Sequence, residues 1–248
     1  MAMLGNDVVI LAGGTGNVGG ATLAVLLREG ASVFVLSRNS AHAQAAIERY
    51  APAELRERAV AFEADLAQPA AGEAAVAEAV RRFERLDAVV SLVGGRIFGP
   101  LAESRLEDLR SNIDVNLFAT YNLMLPALRA LLAQPLRAGA RSRGRLVAVS
   151  AGSSKDPQPR YGLMGAAKAA VNVLMQAIAR EHKADGIVAN SLVLGTVATE
   201  LARGYLSPED FAAAASPEET AEVLAFLVSE RASGINGALV DLNAREVD

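Results

Sequence analysis

The chain has 248 residues, 52% of them hydrophobic and 21% charged, which excludes a disordered polymer and supplies ample material for a buried core. Its formal net charge is −4 with the basic residues scattered, so no electropositive stripe for nucleic acid is present. There is no cysteine, which excludes disulfides and thiolate metal centres, and the two histidines, His42 and His182, lie far apart in polar contexts, so no metal site is expected.

The N-terminus, MAMLGNDVVILAGG, has no basic region followed by a long apolar run, so no signal peptide is expected. No run of 18 uncharged apolar residues occurs, so no membrane partner is expected. A cytoplasmic protein with a small-molecule partner is the resulting expectation. The first apolar run, DVVILA (7–12), reads as a strand that leads into AGGTGNVGGATLAVLLREG. There Gly14-x-Gly16-x-x-Gly19 follows a strand and opens a helix over 20–29. Glycines at this junction let the backbone approach a pyrophosphate, whose charge the helix N-terminus stabilises. Gly13, Gly14, Thr15, Gly16, Asn17, Val18 and Gly19 are therefore candidate dinucleotide contacts.

The second run, SVFVLS (32–37), ends at Ser37 and Arg38 with no carboxylate between Val33 and Asn39. An acid at this point binds a free ribose 2′-hydroxyl, whereas an arginine fork suits a 2′-phosphate, so NADP(H) is expected over NAD(H). Further apolar runs follow at 59–64, 87–93, 144–150, 187–194 and 238–242, separated by amphipathic stretches at 70–85, 107–133 and 164–184. Strands apolar on both faces and alternating with helices predict an α/β fold. It is a single-domain doubly wound parallel sheet over 1–248, with about seven strands and helices on both faces. Two connections depart from the rhythm. The basic segment 133–144 is expected on the surface, and 196–216, at the ligand edge beyond the sixth strand, is expected to form a lid.

Over essentially its whole length the chain resembles the short-chain dehydrogenase/reductase family, a Rossmann fold. The resemblance rests on the glycine loop, EADLAQP (63–69), LDAVVSLVGG (86–95), NIDVNLFATYNL (112–123), AAKAAVN (166–172), NSLVLGTVATE (190–200) and INGALVDLN (235–243). It implies Asp65 and Leu66 beside the adenine, and Val93 and Gly94 along the cofactor. Asn116 would kink the fourth helix and help hold a proton-relay water. Gly195, Val197 and Thr199 would lie over the nicotinamide, and Lys168 would anchor its ribose.

The family's common tyrosine, four residues before the lysine, is here Met164, and its serine, thirteen before that, is Ala151. Neither donates a proton. Ser150, Ser153 and Ser154 flank the vacant serine position. Tyr161-x-x-Met164-x-x-x-Lys168 is instead similar to the enoyl-thioester reductases of the same family. That likeness implies Tyr161 as proton donor, with Met164, Ala151 and Gly95 lining the substrate pocket. The expected activity is NADPH-dependent reduction of an activated C=C or C=O bond. The alternative is a chain that binds NADP(H) but serves as a non-redox sensor, scaffold or partner. The resemblance also implies a homo-oligomer, tetramer or dimer, built through the fourth and fifth helices and the C-terminal strand.

Overall fold

The computed structural model describes residues 2–95 and 97–243. Its centre is a seven-stranded sheet in the order β3-β2-β1-β4-β5-β6-β7, every pairing parallel. The strands are β1 (Val8–Ala12), β2 (Ser32–Ser37), β3 (Ala59–Glu63), β4 (Ala88–Ser91), β5 (Gly144–Ala151), β6 (Ile187–Leu194) and β7 (Leu239–Leu242). Side-chain alternation divides each strand between two helical layers. Ile10 and Ala12 face α3 (Pro69–Phe83), α5 (Ala119–Ala133) and α6 (Gly162–Glu181). Val9 and Leu11 face α1 (Asn17–Arg28), α2 (Ser40–Tyr50) and α9 (Pro217–Leu227). The parallel crossovers bring all strand C-termini to one edge, where ligands of such sheets bind.

The stretches Leu106–Ala133 and Gly162–Glu181 are long and apolar enough, by composition, to cross a membrane. Here the sheet takes up that apolarity: Leu123, Met124, Leu131, Val171 and Met175 are buried against it. The first of these stretches is not one regular helix. α4 (Leu106–Asn112) passes through a π-helical turn (Ile113–Phe118) into α5. Two short helices, α7 (Glu200–Arg203) and α8 (Pro208–Ala213), occupy the segment beyond β6, closed by a bridge from Val197 to Ala215.

The basic connection 133–144 lies largely on the surface, as expected, with residues 135–139 and Arg141 exposed. It is drawn onto the opposite, N-terminal edge of the sheet by a cluster of ion pairs. The Arg145 side chain, 3% exposed, reaches Asp7 at 2.8 Å and Glu230 at 2.9 Å. Arg137 bridges Asp7 and Asp87, Arg85 also pairs with Asp87, and the Ser142 hydroxyl donates to Glu230. Burial pushes the Asp7 carboxyl above its ordinary range, with Arg145 opposing that shift.

Candidate active site

A cavity of about 840 Å³ opens at the C-terminal edge of the sheet. β1 delivers the glycine loop to the same edge; of that loop only Val18 lines the cavity, and Val93 also lies outside the lining. Gly13 turns the chain at φ 84°, a conformation other residues rarely adopt. A side chain at Gly19 would meet the Gly13 carbonyl at 2.1 Å, so α1 packs directly on the loop. Gly16, at the N-terminus of α1, has nothing within 4 Å of its missing side chain. A tight turn, an open approach and a close helix contact are what a bound pyrophosphate requires, so these residues fit a dinucleotide.

At the far corner, Ser37 ends β2 and Arg38 follows it, exposed. The corner also holds a carboxylate that reading β2 by itself misses. Glu63 pairs in register with Ser37 and accepts from the Ser40 amide at 3.0 Å. Asp65 and Leu66 follow β3. Buried Asn122 on α5 donates to the Leu66 carbonyl at 2.8 Å and fixes that turn. These four expected residues, Ser37, Arg38, Asp65 and Leu66, lie outside the lining of the main cavity.

Lys168, Asn116, Tyr161, Met164, Ala151, Gly94 and Gly95 all line that cavity. The Lys168 ammonium donates to the carbonyls of Val149 at 2.8 Å and Val93 at 3.2 Å. Burial pushes its pKa down to about 8, and among the described residues no carboxylate offsets the desolvation. Asn116 sits inside the π-helical turn, and its amide accepts from Gly95 N–H at 3.3 Å and donates to Gly95 C=O at 3.2 Å. A side chain on Gly94 would lie 2.6 Å from Asn116 Oδ1 and 2.9 Å from Lys168 Nζ. Only glycine lets the asparagine and the lysine close on the chain from both sides.

Tyr161 lies just outside α6, as its N-cap residue, rather than within the first turn. Its ring stacks on Phe98 with centroids 5.4 Å apart and planes 17° from parallel. The serines beside Ala151 are differently engaged. Ser150 Oγ lies 3.1 Å from Ser154 Oγ and 3.3 Å from the Lys168 carbonyl, and Ser154 also accepts from Asn172. The Ser153 hydroxyl is buried without a partner among the described residues. Gly195, Val197 and Thr199 line the cavity too, with Thr199 capping α7.

The opposite wall was not anticipated from the sequence. Lys155, beyond β5, pairs with Asp241 of β7 at 2.6 Å, and Asp156, Gln158, Tyr205 and Asn243 complete the wall. They come from three stretches far apart in sequence, 155–158, Tyr205 and 241–243, which only the fold brings together. No cluster of three metal-ligating side chains occurs among the described residues.

A family model described as short chain dehydrogenase matches residues 7–210. The chain is 28% identical to meso-2,3-butanediol dehydrogenase of Serratia marcescens, over 96% of this chain and 93% of the other. It is 29% identical to L-rhamnose 1-dehydrogenase (NAD(P)(+)) of a Sphingomonas species, over 97% of each. Among solved structures, 3-ketoacyl-(acyl-carrier-protein) reductase from Brucella melitensis complexed with NADH superposes with a TM-score of 0.86. The match covers 97% of this chain and 98% of the other at 21% identity.

Proposed function

The chain belongs to the short-chain dehydrogenase family of oxidoreductases, and we propose that it is a cytoplasmic NADPH-dependent reductase of an activated C=C or C=O bond with Tyr161 as the acid. The observation that carries this reading is the common cavity. Tyr161, the one phenol near Lys168 in sequence, lines the same space as Lys168 and Asn116, while Met164 and Ala151 offer no proton. The dinucleotide supplies the hydride when bound. The residues fitted to hold it are the glycine loop at the pyrophosphate, Arg38 at a 2′-phosphate, Asp65 and Leu66 at the adenine, and Lys168 with Val93 and Gly94 towards the nicotinamide ribose. Gly195, Val197 and Thr199, which line the cavity, would hold the nicotinamide.

Tyr161 donates its phenolic proton to the substrate oxygen that gains charge. A tyrosine three residues ahead of Met164 suits an oxygen displaced from the hydride-accepting carbon, as in a conjugated thioester. The segment 196–216 acts as the lid, closing the cavity from the side of Tyr205. The exposed apolar side chains Val115, Phe118 and Tyr121, beside α6, support self-association as a dimer or tetramer.

The test mixes protein and NADPH with enoyl thioesters, quinones and ketones and follows loss of NADPH absorbance. Turnover that Tyr161→Phe lowers by about 10²-fold or more is the expected result. Undiminished turnover removes Tyr161 from the chemistry. Because Glu63 places a carboxylate beside Ser37, NADH is titrated alongside NADPH; tighter NADH binding overturns the NADP(H) assignment. The second reading, a nucleotide-binding protein without redox activity, is favoured by the paired loss of donors at Met164 and Ala151. Its signature is NADPH binding with no turnover on any substrate class.

A further inference from the structure

We infer that Phe98 is a positioning residue, which holds the Tyr161 ring at the cavity through a segment pinned by two buried asparagines. This inference rests on the reading of Tyr161 as the acid. The backbone of Tyr161 is fixed on both sides: its N–H donates to Gln158 C=O at 3.0 Å, and its C=O accepts from Gly165 N–H at 2.8 Å. The side chain starts from the N-cap position, at φ −101° and ψ 7°, outside the packed ladder of α6. Its ring stacks on the ring of Phe98, itself 49% exposed.

A second contact lies immediately next to the first. Arg160 holds φ at 73°, in the left-handed region that non-glycine residues seldom occupy. Its carbonyl accepts from Gly99 N–H at 3.0 Å. Consecutive residues, Phe98 and Gly99, therefore grip consecutive residues, Tyr161 and Arg160. The grip has a fixed base. Asn116 clamps both polar groups of the Gly95 peptide, and Asn112 Nδ2 donates to Ile97 C=O at 3.1 Å. The two asparagines are fully buried, four residues apart where the helix widens, and tied together by Asn116 Nδ2 to Asn112 C=O at 3.0 Å. A line of contacts thus runs from the lysine and asparagine end of the cavity, through the segment after β4, to the tyrosine. Removing the Phe98 ring leaves Tyr161 free to sample other rotamers, and the fraction of time spent at the substrate falls.

Phe98 is half-exposed, so its replacement leaves the core intact. Phe98→Leu and Phe98→Tyr are compared with wild type in protein carrying ring-labelled tyrosine. Tyr161→Phe assigns the Tyr161 resonance among the four tyrosines. In Phe98→Leu that resonance alone moves towards its unstructured position, whereas Phe98→Tyr leaves it in place. With a conjugated thioester or ketone that the enzyme turns over, Phe98→Leu lowers kcat roughly fivefold, the size expected for one lost aromatic stack. KM and the NADPH Kd stay within about twofold, and Phe98→Tyr restores kcat. A Tyr161 resonance unmoved in Phe98→Leu overturns the inference, as does an unchanged kcat where Tyr161→Phe abolishes turnover. If Tyr161→Phe itself leaves turnover intact, the acid reading fails, and the resonance still decides whether Phe98 holds the ring.

Discussion

Lys168 is held where an ammonium is least comfortable: almost fully buried, facing two carbonyls and, among the described residues, no carboxylate. Its pKa near 8 in the folded chain, against 10.5 ordinarily, makes the buried ammonium a cost to the folded state. Between those values the unfolded chain binds more protons than the folded one, so stability rises with pH across that window. The rise attributable to Lys168 is roughly 3 kcal/mol. Chemical denaturation of wild type and Lys168→Met at pH 7.5, 9 and 10.5 checks this. The wild type is expected to gain on the variant as pH rises, and parallel pH dependences would contradict it. The residues to which the family likeness assigned chemistry were easier to find than their surroundings. Lys168 stands in a recognisable run, AAKAAVN, but its desolvation and its approach, with Asn116, to Gly94 depend on three elements meeting. The Glu63 carboxylate shows the same limit, because its relevance comes from β3 lying beside β2 in register with Ser37.

At the scale of the element, the β1–α1 unit separates glycines that fold the loop from a glycine that leaves room. An alanine at Gly19 would put a carbon 2.1 Å from a backbone oxygen, and the loop must deform to accept it. An alanine at Gly16 meets nothing within 4 Å, and its φ of −86° and ψ of 178° suit any residue. Gly16→Ala is therefore expected to keep the wild-type Tm while weakening NADPH binding by about tenfold or more, by filling the phosphate approach. Gly19→Ala is expected to lower Tm and binding together. Thermal melts with and without NADPH distinguish the two, and a Gly16→Ala protein with unchanged NADPH affinity would remove the phosphate from that place. The central strands β1, β4, β5 and β6 were legible because both faces are buried, which favours apolar runs; β6 begins and ends where its run does, although Asn190 and Ser191 interrupt it. The π-helical turn was legible only as an asparagine inside a helix. Its extra width leaves no period in the apolar pattern of 107–133.

On the scale of the whole molecule, the sheet divides the work between its two edges. The C-terminal edge keeps a cavity of about 840 Å³ with a buried lysine, while the N-terminal edge holds only a smaller one, of about 220 Å³, lined by the paired charges around Arg145. Neither edge accounts for the apolar surface on the flank. Val115, Phe118 and Tyr121 recur along one side of the π-turn and α5, and Val173, 65% exposed, lies on neighbouring α6. Exposed apolar side chains grouped on adjacent helices are costly in water and are relieved by a second copy that presents the same face. A two-fold contact uses each residue twice, so a charge at Phe118 and Val173 is buried four times over. Burial of each such side chain contributes about 1.5–3 kcal/mol, so the double variant Phe118→Glu, Val173→Glu should weaken association at least about a hundredfold. Sedimentation at micromolar concentration is expected to show a dimer or tetramer for wild type and a monomer for the variant. NADPH affinity stays unchanged, because neither side chain lines the cavity. A wild type that sediments as a monomer, or a double variant that still assembles, would move the interface away from this flank.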